Sequence, residues 1–154
     1  MRKLIFSVSM LLSVSNVFSQ WVTKAIDNGL DNPYNIAYCD SKQSDSFFAK
    51  MEKTSDGVAF YVSGGYFCED VILVDVGFKV SGEWKKYQFV AKTSSTQKTL
   101  FIIDNLTTSE CFEDFKLATD LVMRINDRLC GSEDYTFSMT NSTSSYNFVN
   151  NQNK

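Results

Sequence analysis

The ten residues Val71-Ile72-Leu73-Val74-Asp75-Val76-Gly77-Phe78-Lys79-Val80 place Ile72, Val74, Val76, Phe78 and Val80 on one side of an extended chain. Val71, Leu73, Asp75, Gly77 and Lys79 fall on the other side. Side chains alternate across a strand, so this is a buried β-strand with one polar interruption, at Asp75. Ser81-Gly82 then supplies two turn residues, and Lys85–Ala91 resumes the alternation, with Tyr87, Phe89 and Ala91 opposite Lys86 and Gln88. Two alternating runs across a two-residue turn are the pattern of an antiparallel hairpin.

The same period recurs outward from this hairpin. Val58, Phe60 and Val62 alternate before it; the apolar run 97–104, then Leu121, Met123 and Ile125, then Tyr135, Phe137 and Met139 follow it. Ser55-Asp56-Gly57 and Ser63-Gly64-Gly65 separate the earlier runs. Short β-branched and aromatic segments between such turns predict a mainly β, antiparallel sandwich or barrel-like domain. One helix is expected, over about 107–119. There Thr107 and Glu110 have the spacing of a capping box, and Phe112, Phe115 and Thr119 share a face. Tyr146–Val149 reads as a closing strand, and 150–154 as a frayed end. With no internal repeat or linker, 20–149 is expected to be a single domain.

Residues 1–19 stand apart. Arg2-Lys3 precedes an apolar run from Leu4 to Leu12, and Val17-Phe18-Ser19 precedes Gln20 in the manner of a signal-peptide cleavage site. Serines interrupt the run, which is too short for a span of about 20 apolar residues. Export to the periplasm or the extracellular space is the expectation, with no transmembrane segment after cleavage. Removing 1–19 takes away Arg2 and Lys3, leaving 13 basic residues against 18 acidic, a net of −5. An acidic chain whose longest basic run is Lys85-Lys86 has no footprint for nucleic acid.

The 154 residues contain no histidine, which removes Ser-His-Asp and Cys-His catalysis and every His-ligated metal. Four cysteines, Cys39, Cys68, Cys111 and Cys130, suggest two disulfides in an oxidising compartment. Three pairings are possible; Cys39–Cys68 and Cys111–Cys130 are preferred because each pair is close in sequence. The acidic doublets Glu69-Asp70, Glu113-Asp114 and Glu133-Asp134 read as solvated turns and helix-start charges, since neighbouring residues diverge and cannot form a carboxylate dyad. Asp75 is expected to meet Lys79 or Arg124 on a half-exposed face. Gly64-Gly65 lacks the strand-to-helix setting of a phosphate loop. No catalytic residue, metal or cofactor is expected. If a surface binds a partner, Tyr61, Tyr66, Phe67 and Trp84 are the residues singled out.

The whole layout resembles a family of envelope proteins. Trp21 is followed by Asn32-Pro33-Tyr34-Asn35-Ile36-Ala37-Tyr38, and Cys68 stands beside the apolar strand. Leu121-Val122-Met123-Arg124-Ile125-Asn126-Asp127 and the strand from Tyr135 to Thr143 come late. This is similar to the small exported β-sandwich proteins related to the VasI accessory protein of type VI secretion and, more distantly, to invasion-associated locus B proteins. The resemblance departs at Asn141, where a small residue is expected, and at Cys68, which precedes its strand. It implies the fold and compartment of a non-catalytic binding or accessory protein with a protein partner, and carries over no catalytic residue. A second expectation, from the acidic balance, is a small exported inhibitor of a basic hydrolase such as lysozyme.

Overall fold

The computed structural model describes residues 20–27, 29 and 33–151. The expected signal peptide, 1–19, and the end, 152–154, lie outside the described residues. Among the described residues nine strands form one sheet: β1 (Val22–Ile26), β2 (Tyr34–Asp40), β3 (Phe48–Lys53), β4 (Val58–Ser63), β5 (Val71–Val80), β6 (Glu83–Thr93), β7 (Thr99–Ile103), β8 (Asp120–Asp127) and β9 (Gly131–Ser138). Their order is β1-β2-β3-β4-β7-β6-β5-β8-β9, and every neighbouring pair is antiparallel. The β5–β6 hairpin turns through Ser81 and Gly82, with φ of 51° and 88°. Positive φ at both positions matches the right-handed twist of the two strands, and Gly82 takes it without a steric penalty.

The sheet curls without closing. Where its two margins approach, the Lys42 amide donates to the Thr136 carbonyl (2.8 Å) and the Thr136 amide donates to Gln43 Oε1 (2.8 Å). Phe47 stacks on Tyr135 with ring centroids 3.7 Å apart, and Lys42 pairs with Asp120 at 2.8 Å. The inner face buries Met51, Phe60, Ile72, Val74, Phe78, Leu121, Met123 and Phe137. As the alternation predicts, Ile72, Val74, Val76 and Phe78 all point into this core. Val71 and Leu73 do not: they stand on the outer face, exposed.

Two helices cap the inner face. The segment expected as one helix breaks into a single 3₁₀ turn, Leu106–Thr108, and α1 (Phe112–Leu117). Ser109, in extended conformation (ψ 143°), separates them. Asn105 rather than Thr107 caps the first turn, accepting from the Thr107 amide (3.0 Å), while the Thr107 hydroxyl bonds the Tyr146 hydroxyl at 2.7 Å. The capping-box spacing was therefore misleading, because the Thr107 side chain is engaged with Tyr146. Glu113 and Asp114 do lie in the first turn of α1, where negative charge is favourable. Phe115 on α1 is fully buried and meets Trp21, Phe60 and Phe78 with ring centroids 6.5, 6.1 and 6.0 Å away.

The closing strand expected over Tyr146–Val149 is instead part of a helix, α2 (Ser142–Asn150). Its buried residues, Ser142, Ser145, Tyr146 and Val149, recur at helical spacing and face β1 to β4. Tyr146 packs on Phe112, with centroids 5.0 Å apart, joining the two helices.

The cysteines differ from the preferred pairing. Cys68 and Cys130 form the disulfide, with Cα atoms 5.7 Å apart, while Cys39 and Cys111 are buried thiols. The reason is topological. The chain leaves β4, passes over the places taken by β7 and β6, and enters β5 beside β8. Cys68, just before β5, therefore meets the turn between β8 and β9, which carries Cys130. Cys39 points inward from β2, its thiol directed at the Ser138 carbonyl (3.6 Å).

Candidate functional site

The outer face of β6, β5, β8 and β9 is a ladder of side chains read directly from the register. Trp84 stands opposite Lys79, and Lys79 opposite Asp120. The next row is Lys86, Gly77, Val122 and Thr136; the third is Gln88, Asp75, Arg124 and Asp134. A fourth row begins Val90, Leu73, Asn126, and beyond it Val71 and Phe101 flank Lys92.

An open hollow of about 640 Å³ lies over these rows, lined by Trp84 of the first, by Lys86, Gly77 and Val122 of the second and by the whole of the third. Gly77 gives it depth. A Cβ there would meet the six-membered ring of Trp84 at 3.3 Å (Cε3) and 3.7 Å (Cζ3). Trp84 thus leans two residues along the sheet onto bare backbone, and it remains 43% exposed. The third row is ordered by hydrogen bonds within it and by one from Asn126 in the fourth. Gln88 Nε2 donates to Asp75 Oδ1 (2.7 Å), Asn126 Nδ2 donates to Asp75 Oδ2 (3.0 Å), and Arg124 grips both carboxylate oxygens of Asp134 (2.7 and 2.8 Å).

These contacts set the charge state. Hydrogen bonds from Gln88 and Asn126, with Arg124 nearby, hold the Asp75 carboxyl below the usual carboxylate range. The bidentate bond from Arg124 does the same for Asp134. Both stay anionic at neutral pH, so neither is poised to donate a proton. Asp75 faces Arg124 in register, as expected, although its hydrogen bonds run to Gln88 and Asn126. Lys86 makes no ion pair among the described residues.

Beside the hollow lies an apolar patch. Val71 and Leu73 from β5, Val90 from β6 (63% exposed) and Phe101 from β7 are all open to solvent on the same face. Alternation alone concealed it, since an apolar outer face reads as a strand buried on both sides.

The four residues singled out from sequence separate in space. Trp84 borders the hollow just described. Tyr61 lies on the other half of the sheet, only 7% exposed, beside Phe101 and with Lys50 Nζ 5.2 Å from its ring centroid. Burial and the hydrogen bond it donates to Glu52 (2.5 Å) push the Tyr61 phenol well above its ordinary pKa. Tyr66 is 65% exposed in the β4–β5 connection, and Phe67 is buried against Phe47. Of these four, Trp84 and Tyr66 are available to a partner. The residues missed were Gly77, Gln88, Val122 and Arg124, whose grouping depends on the pairing of β5 with both β6 and β8.

Cys68, Asp127 and Cys130 bring ligand atoms within 4.8 Å of one another. The sulfurs are bonded to each other, and the Asp127 carboxylate accepts the backbone amides of Cys68 (2.6 Å), Leu129 (3.0 Å) and Cys130 (3.0 Å). The cluster is a cross-link and its brace. Burial works to raise the Cys111 thiol's pKa, so it stays protonated. No helix among the described residues is long and apolar enough to cross a membrane. The chain matches no protein-family model, no curated protein and no solved structure.

Proposed function

We propose that this is an exported, non-catalytic binding domain, an accessory protein of the cell envelope or extracellular space that holds a protein partner against the outer face of its sheet. The observation that carries the reading is the exposed apolar patch of Val71, Leu73, Val90 and Phe101, three strands wide. Grouped exposed apolar side chains of this kind mark association surfaces. The Cys68–Cys130 disulfide is compatible with an oxidising compartment. The resemblance to VasI-related proteins points the same way. Both carboxylates of the hollow are held anionic, which suits recognition better than acid–base chemistry.

Affinity capture from the protein's own source tests this, run in parallel with Val90→Asp and Leu73→Asp. The expected result is a partner recovered by the parent and lost with both variants, which remain folded because the two side chains are exposed. Recovery of the same proteins by all three would overturn the reading. Tyr66, exposed in its turn, supports a second reading as an inhibitor of a basic hydrolase, and a lysozyme assay in the presence of the protein decides it.

A further inference from the structure

We propose that the hollow between Trp84 and Arg124 is a carbohydrate site that takes a pyranose unit of an extended glycan. This goes beyond protein capture and rests on different residues from the apolar patch.

The shape comes first. A volume of about 640 Å³ is that of a small-molecule site, and the hollow is open to solvent rather than enclosed, which leaves room for a ligand longer than the unit that fills it. Gly77 creates the depth, and a side chain there would crowd Trp84 at 3.3 Å.

The chemistry comes second. A pyranose ring has an apolar surface of C–H bonds and a rim of hydroxyls. The partly exposed indole of Trp84 suits the former, because its electron-rich face attracts polarised C–H groups. The third row suits the latter. Each sugar hydroxyl is both donor and acceptor, and neighbouring hydroxyls are best met by donors and acceptors side by side. Gln88, Asp75, Arg124 and Asp134 provide that alternation: amide, carboxylate, guanidinium, carboxylate.

The third point is preorganisation. Gln88, Asn126 and Arg124 are already fixed by Asp75 and Asp134, so little side-chain freedom remains to be lost on binding. The lining carries two positive groups, Arg124 and Lys86, and two negative ones, Asp75 and Asp134, with Arg124 paired to Asp134 at 2.7 Å. The charges inside the hollow therefore compensate one another, which favours a neutral ligand. A peptide bound to a sheet would pair instead with an edge strand, and β5 and β8 have neighbours on both sides.

The chain has two tryptophans, and Trp21 is buried, so a ligand-dependent change in emission reports on Trp84. The oxidised protein is titrated with four soluble hexasaccharides of β-1,4-glucose, β-1,3-glucose, β-1,4-N-acetylglucosamine and β-1,4-mannose, by fluorescence and by calorimetry. At least one is expected to bind saturably. Trp84→Ala should weaken that binding by about tenfold or more. Gln88→Ala should weaken it without altering the Trp84 emission of the free protein, and Val90→Asp should leave it unchanged. The proposal is overturned if none of the four binds up to about 10 mM, or if binding survives Trp84→Ala with the fold intact. It is equally overturned if the sugars fail while Trp84→Ala abolishes capture of a protein, for the hollow is then part of that interface. Loss of protein capture in Val90→Asp alone leaves the glycan site standing, so the two readings fail separately.

Discussion

Replacing Asp127 by Asn changes one atom at the junction of β8, the disulfide and the β8–β9 turn. Asp127 is 3% exposed, and its two oxygens accept three backbone amides, those of Cys68 at 2.6 Å and of Leu129 and Cys130 at 3.0 Å. In the variant one oxygen becomes an NH₂ group that faces a backbone donor. If the amide group places its nitrogen towards Cys68, that part-buried N–H is stranded; if towards the turn, two N–H groups are. The turn residues Leu129 and Cys130 are exposed, so water recovers much of the second loss, and the first costs about 1–3 kcal/mol. Loss of the charge weakens the remaining bonds as well, giving a total of about 2 kcal/mol. For a domain of this size that lowers the melting temperature by about 5–10 °C.

The pH dependence distinguishes this from a general packing defect. Burial of Asp127 acts to raise its pKa, but the amides of Cys130, Cys68 and Leu129, with a smaller contribution from that of Glu69, outweigh it and hold the carboxyl below the ordinary range. A depressed folded-state pKa stabilises fully above the unfolded value of about 3.9, and the contribution disappears as pH falls through the folded value. The assay is urea unfolding of the oxidised parent and variant at neutral pH and at about pH 2. The gap between them should be present at neutral pH and should close in acid. A gap below about 0.5 kcal/mol at neutral pH, or one of the same size at both, would refute the reasoning.

Three further outcomes follow from the core and the cysteines. Peptide mapping of the oxidised protein should find Cys68 linked to Cys130, with Cys39 and Cys111 alkylated only after denaturation; because 62 residues separate the linked pair, removing the bridge should cost about 4 kcal/mol. A linkage involving Cys39 would refute the topology that brings β5 beside β8. Phe115→Ala removes the ring on which Trp21, Phe60 and Phe78 converge and should cost about 3–5 kcal/mol by chemical denaturation, while a cost under about 1 kcal/mol would show that α1 is not part of the core.

Most of the sheet was legible because side-chain alternation is a local property. Ile72, Val74, Val76 and Phe78 needed no knowledge of their neighbours to be placed inward, and Ser81-Gly82 identified its own turn. What required long-range information was misread. Val71 and Leu73 looked buried because their sequence is apolar, yet among the described residues nothing packs over that face. The cysteines looked paired by proximity in sequence, whereas strand order brings together two that are far apart. Helix α2 was hidden because Ser-Thr-Ser-Ser-Tyr-Asn-Phe-Val-Asn is poor in helix formers and its inward positions include two small serines. Packing on β1 to β4, rather than propensity, makes it a helix. Trp84 could be named from sequence as a residue to watch, but the hollow beside it exists only once β6, β5 and β8 are aligned.

The position of α2 also governs the order in which the molecule can be finished. Strands β1 to β4 form a meander from residues 22 to 63 and could pair with one another as soon as they leave the ribosome or a translocation channel. Their inner face is covered by residues 142–150, made some 80 residues later. Between those moments a sheet formed by residues 22–63 would have one oily side uncovered. Its synthesis therefore has a vulnerable interval set by chain length, during which a chaperone for unfolded chains would find its binding surface on β2 and β3.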